Sequence, residues 1–225
     1  MNSQTSTNSS SSSNYLDISY WFNPQILNDS NTLQQQFSNA LPYEHISIQN
    51  ILKEELAKEL EQALFSLDYE EFDTDLYHFF KTPDFKHITN LPEILQQFHT
   101  FIFQPQTIKW FEQLTSTPLN TSHKGDLHSI LLQQTHYLLC HDDQVDERSI
   151  AFIFNLSHDF SKEDGGTLEI FGHNTNNEPT KPQNTIIPKF NQLNIFKVSP
   201  ISFHQINEVE AKDKNRLSIS GWYYK

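Results

Sequence analysis

A chain of 225 residues is the length of one domain and is ample to bury a substantial core. Fifteen basic against twenty-eight acidic residues leave a net charge of −13, which repels a phosphate backbone, excludes direct nucleic-acid binding and favours a basic protein segment as partner. A single cysteine excludes an intramolecular disulfide framework and fits a reducing compartment, cytoplasmic or nuclear, while the lack of a signal-peptide pattern or a long apolar run speaks against a membrane role.

Residues 1 to 14 are Ser, Asn and Thr with almost nothing to bury, so they are expected to form a disordered tail ahead of a single domain over 15–225. Trp21, Phe22 and Pro24 mark where order begins. A helical lead-in is expected over about 40–125. Within it the spacing of Leu52, Leu56, Leu60, Ala63, Leu64 and Leu67 predicts a helix from Ile51 to Leu67 with Asn50 as N-cap, lying against the outside of a sheet. Acidic residues gather at Glu54, Glu55, Glu59, Glu61, Glu70, Glu71, Asp73 and Asp75. They read as a solvated helix face and loop, with a docking face for a basic substrate as the alternative. A second helix is expected from Pro92 to about Phe103, and a third from Pro105 through Trp110 to Leu114.

After Gly125 the pattern changes to short β-type runs punctuated by turns. Strands are predicted at Leu127 to Gln134, Tyr137 to His141, Ser149 to Ser157, Thr167 to Phe171, Gln192 to Val198, Ile201 to Ile206 and Arg216 to Tyr224, with a short one at Thr185 to Ile187. The fold class is therefore mainly β with flanking α-helices: a double-stranded β-helix of the jelly-roll or cupin type, its barrel core over about 126–225. Asp164-Gly165-Gly166 is expected to be a tight turn with a purely structural role. Residues 173 to 191, rich in Asn, Pro and Thr, read as a long loop bordering the active-site mouth.

The apolar run Tyr137-Leu138-Leu139-Cys140 ends on His141, the only histidine with a carboxylate two positions on, Asp143. On extended backbone these two side chains point the same way and can meet one cation. His204 lies in a second β-prone stretch, and two imidazoles with one carboxylate leave three coordination positions of an iron open, the facial triad of non-haem Fe(II) oxygenases. Alternation puts Arg216, Ser218 and Ser220 on one strand face and Leu217 and Ile219 on the other, so a guanidinium stands ready for a carboxylate. Asp142 is the bland neighbour of Asp143. The remaining histidines (His45, His78, His87, His99, His123, His128, His136, His158, His173) have no partner at ligand spacing and read as ordinary core or surface residues.

The order of these motifs resembles the Fe(II)/2-oxoglutarate-dependent dioxygenases of the prolyl hydroxylase branch. YLLCHDD, DGGTLEIF, NIFKVSPISFHQINEV and NRLSISGWYY, with LPYEHISIQNILKEELAKELEQAL and DLYHFFKTPDF upstream, resemble the catalytic domain of prolyl 3-hydroxylases that act on a small-subunit ribosomal protein. The resemblance covers roughly residues 40 to 225. It implies Fe(II) on His141, Asp143 and His204, and 2-oxoglutarate on Arg216 with Ser218 as second donor. It also implies O2 as oxidant, ascorbate as reductant, and a basic proline-containing protein segment as substrate, in its sharpest form a ribosomal protein. Members of this family place tyrosines near the cosubstrate where this chain has Leu132 and Asn155; Asn155 is expected to donate a hydrogen bond in its place. Eukaryotic relatives carry a second barrel, so the chain is either a single-barrel member or a catalytic fragment. Two rival readings are a non-catalytic metal-stabilised binding module and a small-molecule hydroxylase on the same fold.

Overall fold

A computed structural model describes residues 14–121 and 125–225. The expected tail over residues 1 to 13, and His123, lie outside the described residues. Six helices are described: α1 (Ile18–Trp21), α2 (Pro24–Asn28), α3 (Ser30–Ser38), α4 (Glu54–Leu64), α5 (Glu93–Ile102) and α6 (Pro105–Thr115). The strands are β1 (His45–Gln49), β2 (Glu70–Asp73), β3 (Tyr77–Lys81), β4 (Asp126–Leu132), β5 (Tyr137–His141), β6 (Arg148–Asn155), β7 (Leu168–His173), β8 (Pro179–Ile186), β9 (Gln192–Lys197), β10 (His204–Ile206) and β11 (Arg216–Tyr224).

All eleven strands join one antiparallel sheet in the order β1-β9-β6-β11-β4-β3-β5-β10-β7-β8, with β2 added beside β3. The sheet rolls up until its two ends meet, where Asn184 of β8 lies 3.0 Å from the His45 ring of β1. The result is the expected jelly-roll barrel.

Alternation along the strands divides the barrel into two chemically different faces. On β6 and β11 the outward residues Phe152, Phe154, Leu217, Ile219 and Tyr223 are buried under α5 and α6. Helix α5 turns Ile94, Leu95, Phe98, Phe101 and Ile102 to this face, a spacing that places them on one helical stripe. Phe98 meets Phe154 edge-on at 5.3 Å, Phe111 meets Tyr223 at 4.8 Å, and the Tyr223 hydroxyl donates to the Ile102 carbonyl. Trp21 of α1 stacks on Phe101 at 5.3 Å and so caps the outside of the helical layer. The inward residues of the same strands are mixed polar and apolar, because they line a cavity rather than a core.

Four expectations need correction. The helix predicted from Ile51 begins only at Glu54, and Asn50 is no N-cap: it sits at φ 52, in a turn. The Asn191 amide bonds both the N–H and the carbonyl of Leu52 and holds that residue extended, so the helix cannot start there. The stretch read as a helical lead-in contributes three strands, β1, β2 and β3. The stretch read as a loop over 173–191 contains β8, which pairs with β7 along the open edge of the sheet. Because β8 is exposed over nearly its whole length it needs no apolar alternation, and its two prolines suit an edge strand.

Candidate metal centre and cosubstrate pocket

Strands β5 and β10 pair directly, with His141 opposite His204, so the backbone ladder sets both imidazoles side by side with ring centres 4.2 Å apart. Asp143 reaches them by a different route from the one alternation suggests. It has left the strand and turned to φ 62, a region Asp tolerates better than most side chains. Its Oδ1 lies 3.4 Å from His141 Nε2 and its Oδ2 3.6 Å from His204 Nε2. Three ligands at right angles around a first-row divalent ion, each about 2.1 Å from it, lie roughly 3 Å apart, so the group fits one ion with little movement.

The outer contacts fix the chemistry of each donor. His141 Nδ1 donates to the Leu139 carbonyl at 2.7 Å, and His204 Nδ1 to the Ser202 carbonyl at 2.8 Å. Both rings therefore turn Nε2, with its lone pair, toward the common centre. Trp222 Nε1 donates to Asp143 Oδ2 at 2.9 Å, while the Arg148 guanidinium lies over the Trp222 ring at 3.7 Å and clamps it in place. Burial works to raise the Asp143 carboxyl, but the His141 contact, both imidazoles and Trp222 outweigh it and hold the group well below the usual carboxylate range. Burial, helped by neighbouring His141, lowers His204 to about 4, so it is a neutral ligand at physiological pH. Burial alone would lower His141; Asp143 reverses this and raises it. Asp142 behaves as expected, accepting from Gln144 N and, through its carbonyl, from Ser202.

A cavity of about 430 Å³ runs from this triad into the barrel, within the usual range for a small-ligand site. At its inner end Arg216 is 2% exposed and lies opposite Leu132 of β4. Its Nε donates to the Gly166 carbonyl at 2.8 Å, and its Nη2 is buried without a partner, as is the Ser218 hydroxyl one alternation further along. Desolvation lowers Arg216 only to about 10, so a full positive charge lines the pocket, with no ion pair to it among the described residues. A bound carboxylate supplies the missing acceptor, and the fit to a dicarboxylic oxo acid held between triad and guanidinium is direct.

The turn carrying Gly166 thus does more than the purely structural work expected of it. Gly165 and Gly166 both have positive φ, and Lys214 and Ser161 anchor the preceding Asp164, holding its carboxyl down to about 2. That anchored turn aims a carbonyl at Arg216. Asn155 lies opposite Ser218, on the same side of the sheet, and its amide donates to Gln192 Oε1 at 2.9 Å. The Oδ1 atom is buried without a partner, and the Nδ2 group, with one of its two N–H donors on Gln192, is held in a fixed orientation beside Ser218.

Several residues of the pocket were not singled out from the sequence. Phe72, Tyr77 and Phe79 reach its wall from the β2–β3 hairpin, Lys81 and His128 also line it, and Arg148 and Trp222 flank Asp143. His128 was within reach, since it shares the inward face of β4 with Ile130 and Leu132. Arg148 was not: strict alternation from Ala151 and Ile153 assigns it outward, and a register irregularity at Tyr223 and Tyr224 turns it in.

The 2OG-Fe(II) oxygenase superfamily matches residues 127–224, a stretch that takes in the triad and Arg216 and belongs to that superfamily. Among its relatives, a prolyl 3-hydroxylase of Xenopus laevis is 33% identical over 192 residues, covering 83% of this chain and 36% of that protein. The prolyl 3-hydroxylase of Mus musculus is 34% identical over 189 residues, covering 81% of this chain and 33% of that protein. The chain therefore spans about a third of the length of these curated relatives. A prolyl hydroxylase from Trichoplax adhaerens, solved with a hypoxia inducible factor peptide fragment, shares the fold with a TM-score of 0.67 at 16% identity, covering 90% of this chain and 93% of that one.

Proposed function

We propose that this chain hydroxylates a prolyl residue in a protein substrate, using Fe(II), 2-oxoglutarate and O2. The observation that carries the reading is the buried Arg216 guanidinium, its Nη2 without a partner, lining the same pocket as the half-coordinating His141, Asp143 and His204 triad. With iron and cosubstrate bound, the site supplies an oxidation in which the oxo acid is split to succinate and CO2 while one oxygen atom is inserted into a substrate C–H bond. His141, Asp143 and His204 would hold the ion, which would supply the site for oxygen and the oxo acid. Arg216, braced by Gly166, binds the distal carboxylate, and Ser218 donates its hydroxyl beside it. Phe196 packs on His204 with ring centres 4.3 Å apart and excludes water from that side.

The substrate side supports a peptide. Phe72, Tyr77 and Phe79 give the pocket an aromatic wall that suits a pyrrolidine ring, while β2 around Phe72 is exposed and acidic, with Glu70, Glu71 and Asp73. A basic segment gains charge complementarity there. A small-subunit ribosomal protein is the sharper form of the proposal, with ascorbate as the reductant that keeps the ion ferrous and a cytoplasmic or nuclear site of action.

The test is succinate release from 2-oxoglutarate by anaerobically iron-loaded protein on admitting oxygen, with and without proline-containing ribosomal-protein peptides. Succinate that rises with one peptide, with one oxygen atom gained on its proline, is the expected result. Arg216→Ala should raise the 2-oxoglutarate requirement by about 10- to 100-fold, the worth of a charge-assisted hydrogen bond, and leave iron affinity unchanged. Iron-bound protein that makes no succinate with any peptide would replace the reading with that of a binding module, with Leu132 and Asn155 as the residues to restore to tyrosine.

A further inference from the structure

Away from the pocket, one other group among the described residues brings ligand-type side chains within range of a single ion. Glu71, His78 and His136 each offer a donor atom within 4.8 Å of the other two. Glu71 and His78 come from the β2–β3 hairpin, on the face opposite Phe72 and Phe79, and Asp73 stands directly across from His78. His136 comes from the turn between β4 and β5, the two strands that flank β3. The sequence gives no hint of the group, because Glu71 and His78 belong to a hairpin hidden in the presumed helical lead-in and His136 is distant in the chain.

The geometry is that of a site rather than of a surface ion pair. His78 Nε2 lies 3.0 Å from Glu71 Oε1, and the His78 and His136 ring centres are 4.0 Å apart with the rings tilted by 32°. His136 is 5% exposed and its Nδ1 is buried with no hydrogen-bond partner. Burial and then the neighbouring His78 lower the His136 pKa and keep it neutral, the form that binds metal. Phe80, with its ring 5.0 Å from His136, shields one side. A buried imidazole facing a second imidazole and a carboxylate lacks one thing, a cation.

We infer that Glu71, His78 and His136 form a second divalent-cation site, one that takes zinc or a similar borderline ion. Two imidazoles select that class over magnesium and calcium, which prefer oxygen donors. The carboxylate completes a three-ligand set with a fourth position open to water, and Asp73 adds negative charge beside it. Binding there ties the hairpin to the β4–β5 turn. The same hairpin carries Phe72, Tyr77 and Phe79 to the wall of the pocket, so the ion sets the aromatic side of the substrate entrance. This assignment does not depend on the reaction proposed for the triad.

The experiment uses the full, untagged chain with His141 and His204 both replaced by Ala, so that the triad no longer binds. Zinc is added to the metal-free protein and counted by equilibrium dialysis, while hydrogen exchange is followed at the amides of residues 70 to 81. One zinc ion per chain and slowed exchange in the hairpin are expected. In the same background, Glu71→Gln should weaken zinc by about 10- to 100-fold, and His78→Ala should abolish both the binding and the protection. His78 and Glu71 are partly exposed, so these replacements leave the barrel core untouched even if His136→Ala unfolds. No zinc bound by the parent, or equal zinc bound by parent and His78→Ala, would overturn the assignment.

Discussion

Asp143 carries two burdens, since it leaves β5 with positive φ and must present both oxygens to imidazoles while buried among them. The energy of that arrangement is recovered through neighbours that the primary structure places far away. Trp222 donates to Oδ2, and Arg148 holds Trp222 from above. Trp222→Phe removes the donor while keeping a ring beneath Arg148. Loss of such an outer partner typically weakens metal by about 10- to 100-fold, so Fe(II) affinity should fall by that factor with thermal stability little changed. Titration with Fe(II) or Co(II) under argon reads it directly, and unchanged affinity would show that Asp143 needs no help to stay in place. His141, Asp143, His204 and Arg216 could be read from the sequence because their residue types and order suffice to suggest the chemistry. Trp222 and Arg148 could not, because an indole donor and a clamping guanidinium acquire their roles only from who stands opposite them.

Between residue and fold lies the turn after Asp164, which aims a backbone carbonyl at the Arg216 guanidinium. Gly166 has φ 63, and a methyl group there would meet Arg216 Cδ and Val209 Cγ2 at 3.2 Å. Gly166→Ala therefore combines a left-handed backbone penalty of about 1–2 kcal/mol with pressure on Arg216 itself. The expected outcome is a lower urea midpoint at unchanged slope, together with weaker 2-oxoglutarate binding and unaltered iron affinity. Weaker iron binding instead would mean that the turn supports the triad. The glycine pair was legible as a turn, whereas its bond to Arg216 was not. Elements β1, β2 and β3 escaped notice for a related reason. Each is five residues or shorter; β1 pairs with β9 and β3 with β4 and β5, all much later in the chain, and β2 is a strand only because it pairs with β3.

For the molecule as a whole, the barrel is rigid because its outer face is a core. Phe98 is fully buried between Trp21, Phe101 and Phe154, and truncating such a ring costs about 3–5 kcal/mol. Phe98→Ala should lower Tm by roughly 2–4 °C for each kcal/mol lost in a chain of this size, while the protein that remains folded binds Fe(II) as before. A calorimetric scan with metal titration separates the two effects; a loss of iron affinity at temperatures well below Tm would mean that helix packing and triad geometry are coupled. The sequence by itself determined the barrel class, helices α5 and α6, and the candidates His141, Asp143, His204 and Arg216, since these follow from periodicity, from proline and glycine positions, and from residue types whose chemistry does not depend on context. Only the tertiary structure decided that Asp143 meets its partners through a turn, that Asn155 is engaged by Gln192, that an edge strand lies in a polar stretch, and that Glu71, His78 and His136 share one point in space. Each of these is a pairing between segments distant in sequence, and a one-dimensional pattern holds no record of which distant groups the folded chain brings within hydrogen-bonding reach.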